Sequence, residues 1–167
     1  YDTLHALRAH QGLAVFVDIN LRNPWWSGDV VEALLRGVRW AKMNVHELGE
    51  ITNVPVLKHE DVEDTARELR QRYDLELMIV TLGTDGAVFV TRDEARRAAA
   101  APVDHLVNSV GAGDAFSAVV LLGLLRGWDA AATQQRALEF AAAICQLPAA
   151  VSADSTLYKE HLARWRA

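Results

Sequence analysis

Short apolar runs, each closed by polar turn residues and followed by a stretch of helical spacing, recur along the chain. Leu13–Asp18, a short apolar run ending in an acid, reads as a buried parallel strand; Trp40–Met43, ending at Asn44, reads as the next strand, and Leu77–Leu82 and Ala87–Thr91 as a third and fourth. Gly83-Thr-Asp-Gly86 between the last two has the composition of a tight hairpin turn, so those two are expected to pair antiparallel. Helical patterns fall near residues 3–10, 29–38, 45–51, 60–73, 129–147 and 155–166, and a long apolar helix follows Asp114 to about Arg126. Arg92–Pro102 reads as a charged, alanine-rich loop, and a short run at 103–107 leads into Asn108-Ser-Val-Gly-Ala-Gly-Asp114. Strand–helix alternation with these link lengths predicts an α/β fold in three layers, a mostly parallel sheet with helices on both faces, as a single domain over 1–167.

Composition adds bounds. With 167 residues, 51% of them apolar, the chain can bury one domain's core. Its 17 Lys and Arg against 22 Asp and Glu give a net charge of −5, which argues against a nucleic-acid surface. The longest apolar run, Ala115–Leu125, is too short to cross a bilayer, so no membrane partner is expected. A lone cysteine, Cys145, and the absence of a basic segment followed by an apolar one at the start fit a cytoplasmic protein. His5, His10, His46, His59, His105 and His161 show no metal-ligand spacing and read as solvated residues.

In open α/β sheets ligands bind beyond the carboxyl ends of strands, which singles out four segments. They are Asp18-Ile-Asn20-Leu-Arg22, Asn44-Val-His-Glu47, Thr81-Leu-Gly83-Thr-Asp-Gly86 and Gly111-Ala-Gly-Asp114. In the last, small residues lead into a helix whose first amides have no intrahelical partner, a site for phosphate or an oxyanion, and equally a plain tight turn before a helix. Asn44 and Glu47, one turn apart, could hold a hydrated magnesium ion or form an N-terminal capping box. Thr81, Gly83 and Gly86 have a simple turn reading as well. There is no Gly-x4-Gly-Lys-Ser/Thr, and Gly111-Ala-Gly113 lacks the third glycine of a dinucleotide fingerprint.

The ordered set of four resembles the carboxy-terminal half of the ribokinase-like, or PfkB, carbohydrate kinase family, with Gly111-Ala-Gly-Asp114-Ala-Phe as its signature. Asp18-x-Asn-Leu-Arg-x-Pro-Trp-Trp is most similar to fructokinase-type members. The resemblance implies ATP-dependent phosphorylation of a sugar hydroxyl by a ribokinase-like fold that is incomplete on its amino-terminal side, so the chain alone is expected to be inactive. It also implies Asp114 as catalytic base and the amides of Gly111, Ala112 and Gly113 as anion hole. Thr81, Gly83, Gly86 and Asn44 would bind nucleotide, and Glu47 would face Mg2+ through water. Asn20 and Arg22 would lie towards phosphate or substrate. The implied partners are a small sugar and ATP, and a homodimer is compatible with it.

Three positions depart from the family pattern. Asn108 stands where Asp is usual, which weakens the case for a monovalent cation. Val119 replaces a small residue, and Pro148-Ala149-Ala150 replaces a Gly-Ala pair at the adenine side. The alternative function is a non-catalytic nucleotide-binding remnant, or a truncated half that needs its missing amino-terminal part. Trp25 and Trp26 are expected to pack on the neighbouring helix.

Overall fold

The computed structural model describes residues 12–54, 58 and 60–166. The helix expected at 3–10, with His5 and His10, and His59 fall outside the described residues. The chain divides into two compact units, the first running through Leu82 and including Val88–Arg96, the second comprising Gly83–Ala87 and the residues from Arg97 onward.

The strands are β1 (Phe16–Asp18), β2 (Trp40–Asn44), β3 (Leu77–Thr81), β4 (Ala87–Val90) and β5 (Ala95–Ala98), in the sheet order β1-β2-β3-β4-β5. β1 and β2 run parallel with Asp18 beside Lys42, and β2 and β3 run parallel with Asn44 beside Thr81. Neighbouring strands joined by links as short as Leu82–Gly86 and Thr91–Glu94 must be antiparallel, because a parallel crossover needs about a dozen residues or more. The sheet is therefore mixed, and the ends of its parallel strands carry the segments Asp18–Arg22 and Asn44–Glu47 and the residue Thr81.

Helices α1 (Gly28–Leu35), α2 (Val45–Thr52) and α3 (Val62–Arg72) belong to the first unit. Val31 and Leu35 of α1, Leu48 of α2 and Val62, Ala66 and Leu69 of α3 pack in one core with Met78, Val80, Val88 and Val90. The alternate strand residues Leu77, Ile79 and Phe89 are buried too, which is why these strands read as unbroken apolar runs. Tyr73 at the end of α3 donates its hydroxyl to Glu32 of α1, which Arg72 also meets at 3.0 Å. That hydrogen bond chiefly holds the Glu32 carboxyl below its usual range, while burial first, then Glu32, pushes the Tyr73 hydroxyl up to about 12.

Two expectations are corrected here. Ala95–Ala98 is a strand, not loop: Thr91 closes a tight turn through its amide to the Glu94 carbonyl at 2.9 Å, and pairing with β4 overrides the weak strand preference of Ala-Arg-Arg-Ala. Residues 103–107 are irregular, with the Val107 amide donating to the Cys145 carbonyl at 3.0 Å. Of the two tryptophans, Trp26 packs on the core, but Trp25 is 82% exposed because the turn closed by its amide to the Arg22 carbonyl holds it outward.

The second unit is helical. Gly127, left-handed at φ 66°, ends α4 (Ala112–Arg126), and Asp129 caps α5 (Ala130–Ile144) by accepting from the Ala132 amide at 2.7 Å. The two helices cross at Gly123, where a Cβ would come within 2.6 Å of the Thr133 hydroxyl. Gln134, fully buried, donates to the Ala87 carbonyl at 2.9 Å. Val119 is buried within α4. Among the described residues no helix is long and apolar enough to cross a membrane.

Helix α6 (Thr156–Arg164) corrects a third expectation, that His161 is solvated. His161 is 6% exposed, edge-on to Phe140 with ring centres 5.0 Å apart and beside Trp165 at 5.4 Å. A lone histidine carries no periodicity that would reveal this face. Burial first, then Arg164, lowers its proton affinity, against smaller opposing effects of Glu139 and Glu160. Below about pH 6.5 the unfolded chain takes up a proton that the folded chain resists, so stability falls with pH from there to the lower folded value. Denaturant midpoints between pH 8 and pH 5 are expected to fall more in the wild type than in His161→Phe; parallel curves contradict this.

Candidate functional site

In the first unit the site residues sit where β1, β2 and β3 end. Asn44 closes β2 and caps α2: its Oδ1 accepts from the Glu47 amide at 2.9 Å, and Glu47 Oε2 accepts from the Asn44 amide at 2.8 Å. The capping-box reading of this pair is thus realised. Glu47 Oε1 also accepts from the Leu21 amide at 3.2 Å, so one buried carboxylate ties the loop after β1 to the start of α2. Asn20 and Arg22 flank Leu21 in that loop and are exposed. Thr81, half-buried, lies beside Asn44 in the parallel register. Asn20, Arg22, Asn44, Glu47 and Thr81 are therefore brought to one end of the parallel strands.

A residue the motif reading passed over belongs to the same end. Lys42, 6% exposed on β2, places its ammonium 2.8 and 2.9 Å from the two oxygens of Asp18 on β1. Its sequence signal was a lysine inside the apolar run Trp40–Asn44; its partner follows only from the strand register.

In the second unit Gly83 and Gly86 bound a 3-10 turn, closed by the Gly86 amide to the Gly83 carbonyl at 3.2 Å. The two differ physically. Gly86, at φ 94°, has the backbone of Ala98–Ala100 against the place where a Cβ would stand, whereas Gly83, at φ 62°, faces open space and leaves its backbone approachable.

Gly111 is the N-cap of α4 at φ 83°, and a Cβ there would lie 2.6 Å from the Ala150 Cβ. Asp114 stands exposed in the first turn. The Ala112 amide donates to the Ser109 carbonyl at 3.2 Å, so it closes the turn before the helix. Ahead of it, the Asn108 side chain accepts from the Val110 amide at 2.9 Å and donates to the Leu147 carbonyl at 2.8 Å.

Among the described residues no group of three or more His, Cys, Asp and Glu side chains converges as a metal site. Glu47 is the carboxylate to weigh for magnesium. Both its oxygens already accept amides, and each keeps a second lone pair, which suits a contact through water and not direct ligation. Glu47→Gln replaces one acceptor by an amide that meets an N–H. It is expected to cost about 1–3 kcal/mol of stability without any ligand present, measured by urea denaturation; an unchanged midpoint would show the capping pair to be dispensable.

The chain matches the model of the pfkB family carbohydrate kinases over residues 1–157. It is 36% identical over 103 residues to the ATP-dependent 6-phosphofructokinase isozyme 2 of Mycobacterium tuberculosis, covering 62% of this chain and 30% of that one. It is 26% identical over 149 residues to the 5-dehydro-2-deoxygluconokinase of Geobacillus thermodenitrificans, covering 86% and 42%. The fold is that of phosphofructokinase-2 from Escherichia coli, solved with substrates and products, at a TM-score of 0.77 and 21% identity, over 97% of this chain and 52% of that one. The chain thus spans less than half the length of these curated relatives. The four segments, in order at the strand ends and at the start of α4, accord with the family match over nearly the whole chain: it belongs to the pfkB family of carbohydrate kinases.

Proposed function

We propose that this chain is the nucleotide-binding and base-bearing part of an ATP-dependent sugar kinase, with a fructose-type acceptor. The observation that carries the reading is the Gly111 turn: a left-handed glycine pressed on Ala150 starts a fifteen-residue helix with Asp114 in its first turn. A backbone so constrained holds the Gly111 and Gly113 amides at the helix start ready for an anion.

In this reading Gly111 and Gly113 face the phosphoryl oxygens, and the Ala112 amide joins them by letting go of, or sharing its proton with, the Ser109 carbonyl. Asp114 orients the sugar hydroxyl and accepts its proton. Thr81, Gly83, Gly86 and Asn44 contact the nucleotide, the open face of Gly83 allowing close approach. Arg22 and Asn20 meet phosphate or sugar, and Glu47 meets hydrated Mg2+ through water. Magnesium, when bound, would neutralise phosphate charge. The neutral side chain of Asn108 supports independence from a monovalent cation. The fructose-type acceptor rests on Asp18-x-Asn20-Leu-Arg22-x-Pro24-Trp-Trp26.

Titration of the chain with Mg·ATP, followed by amide chemical shifts, tests the reading. Shifts concentrated at Gly83 and at Gly111–Asp114 are expected, in the millimolar range; shifts confined to other segments overturn it. A non-catalytic nucleotide-binding protein would give the same shifts, and sugar-dependent ADP release by the protein that carries this chain separates the two.

A further inference from the structure

The turn before α4 has no capping side chain, and Gly111 in itself is flexible, so something must hold its left-handed geometry. Residues 107–111 are stitched to the segment after α5 at several points. The Val107 and Asn108 amides donate to the Cys145 carbonyl at 3.0 and 3.3 Å, and Gly111 rests on Ala150. The two amide bonds to the Cys145 carbonyl are indifferent to sequence. The Asn108 side chain is different, because it makes two bonds of opposite sense: Oδ1 accepts from the Val110 amide, and Nδ2 donates to the Leu147 carbonyl.

We infer that Asn108 is a positioning residue: its carboxamide bridges Val110 and Leu147 and fixes the Gly111 turn in the geometry that presents its amides to an anion. The inference rests on the nucleotide reading for its consequence, but the bridge stands on these contacts. Only a group with an acceptor and a donor side by side can fill the place. A carboxylate keeps the bond from Val110 but sets a negative oxygen against the Leu147 carbonyl, whereas a protonated carboxyl restores the donor. Alanine removes both arms and leaves the Val110 amide to solvent.

The test compares wild type, Asn108→Asp and Asn108→Ala in the whole chain, with Mg·ATP as the probe. At pH 8 both variants are expected to bind about tenfold more weakly than wild type, the effect of losing a hydrogen bond that orders a site. Relative to wild type at each pH, Asn108→Asp is expected to recover towards equality as the pH is lowered to 5, while Asn108→Ala does not. A merely space-filling role would move neither ratio with pH. Wild-type affinity for Asn108→Asp at pH 8, or an Asn108→Asp defect that does not change with pH, overturns the inference.

Hydrogen exchange separates this from a failure of the nucleotide reading. Val110 is expected to exchange about tenfold faster in Asn108→Ala, with α6 unchanged, whether or not nucleotide binds. Unchanged Val110 exchange overturns the bridge; a wild type that ignores Mg·ATP overturns the nucleotide reading and, with it, the positioning role. Should Asn108→Ala not fold, Asn108→Asp carries the test, since it keeps the size of the side chain and the bond from Val110.

Discussion

Gly111→Ala is expected to destabilise the second unit by roughly 2–5 kcal/mol, a large share of a domain's stability. Two penalties add. The residue sits at φ 83°, where an L side chain costs about 1–2 kcal/mol. Its Cβ would also stand 2.6 Å from the Ala150 Cβ and 2.8 Å from the Ala150 Cα and carbonyl oxygen. Crowding of that kind costs about 1–3 kcal/mol where the neighbour is backbone and cannot rotate away. Gly83→Ala is the control: φ is also positive, 62°, but nothing lies within 4 Å of the new Cβ, so only the first penalty applies. Urea denaturation of the two variants measures the difference directly. Equal losses would show that the chain does not press Gly111 against Ala150. Ala150→Gly in the Gly111→Ala background removes one of the three contacts, so a partial recovery is expected, and a full one would place the crowding in the side chain alone.

The same residues show what a sequence can and cannot reveal. Buried parallel strands announce themselves because both faces are apolar, as in Leu77–Leu82, and the strand-end rule then points to Asn44, Thr81 and the loop after β1. Glycines at Gly86 and Gly111 are legible as turn residues, but the backbone each one admits, Ala98–Ala100 and Ala150, is not local in sequence. Spacing alone left Glu47 as either a cap or a metal contact. The structure adds the Leu21 amide, twenty-six positions away, which no periodicity encodes. Lys42 and Asp18 meet through strand register, and Asn108 and Leu147 through the packing of a loop on the end of a helix. The strand at Ala95–Ala98 and the burial of His161 were hidden for a related reason: four residues with two arginines, or a single histidine, hold too little pattern to outweigh composition. Local chemistry is readable, and the partners that fix its geometry are long-range.

Asp114→Asn is expected to lower the turnover of the protein that carries this chain by about 10²–10⁴, the usual contribution of a positioned acid–base group, with Mg·ATP affinity changed by no more than about threefold. The fold should survive, because Asp114 is exposed and a first-turn carboxylate contributes only about 0.3–1 kcal/mol to its helix. The substitution keeps size and a carbonyl oxygen, so it removes the charge and proton acceptance while leaving much of the hydrogen-bonding geometry. That makes Asp114→Ala the informative companion. Phosphoryl transfer through a loose transition state lets the attacking hydroxyl keep its proton until late, so a carboxylate can matter more by aiming the oxygen than by pulling on its proton. If aiming dominates, Asn retains about tenfold or more activity over Ala, since it can still hold the hydroxyl. If proton acceptance dominates, the two variants are equally slow, and the missing activity returns with added small carboxylates only in Asp114→Ala, where there is room for them. Near-wild-type turnover of Asp114→Asn would remove Asp114 from the catalytic role altogether, and the anion site at the start of α4 would then serve binding alone.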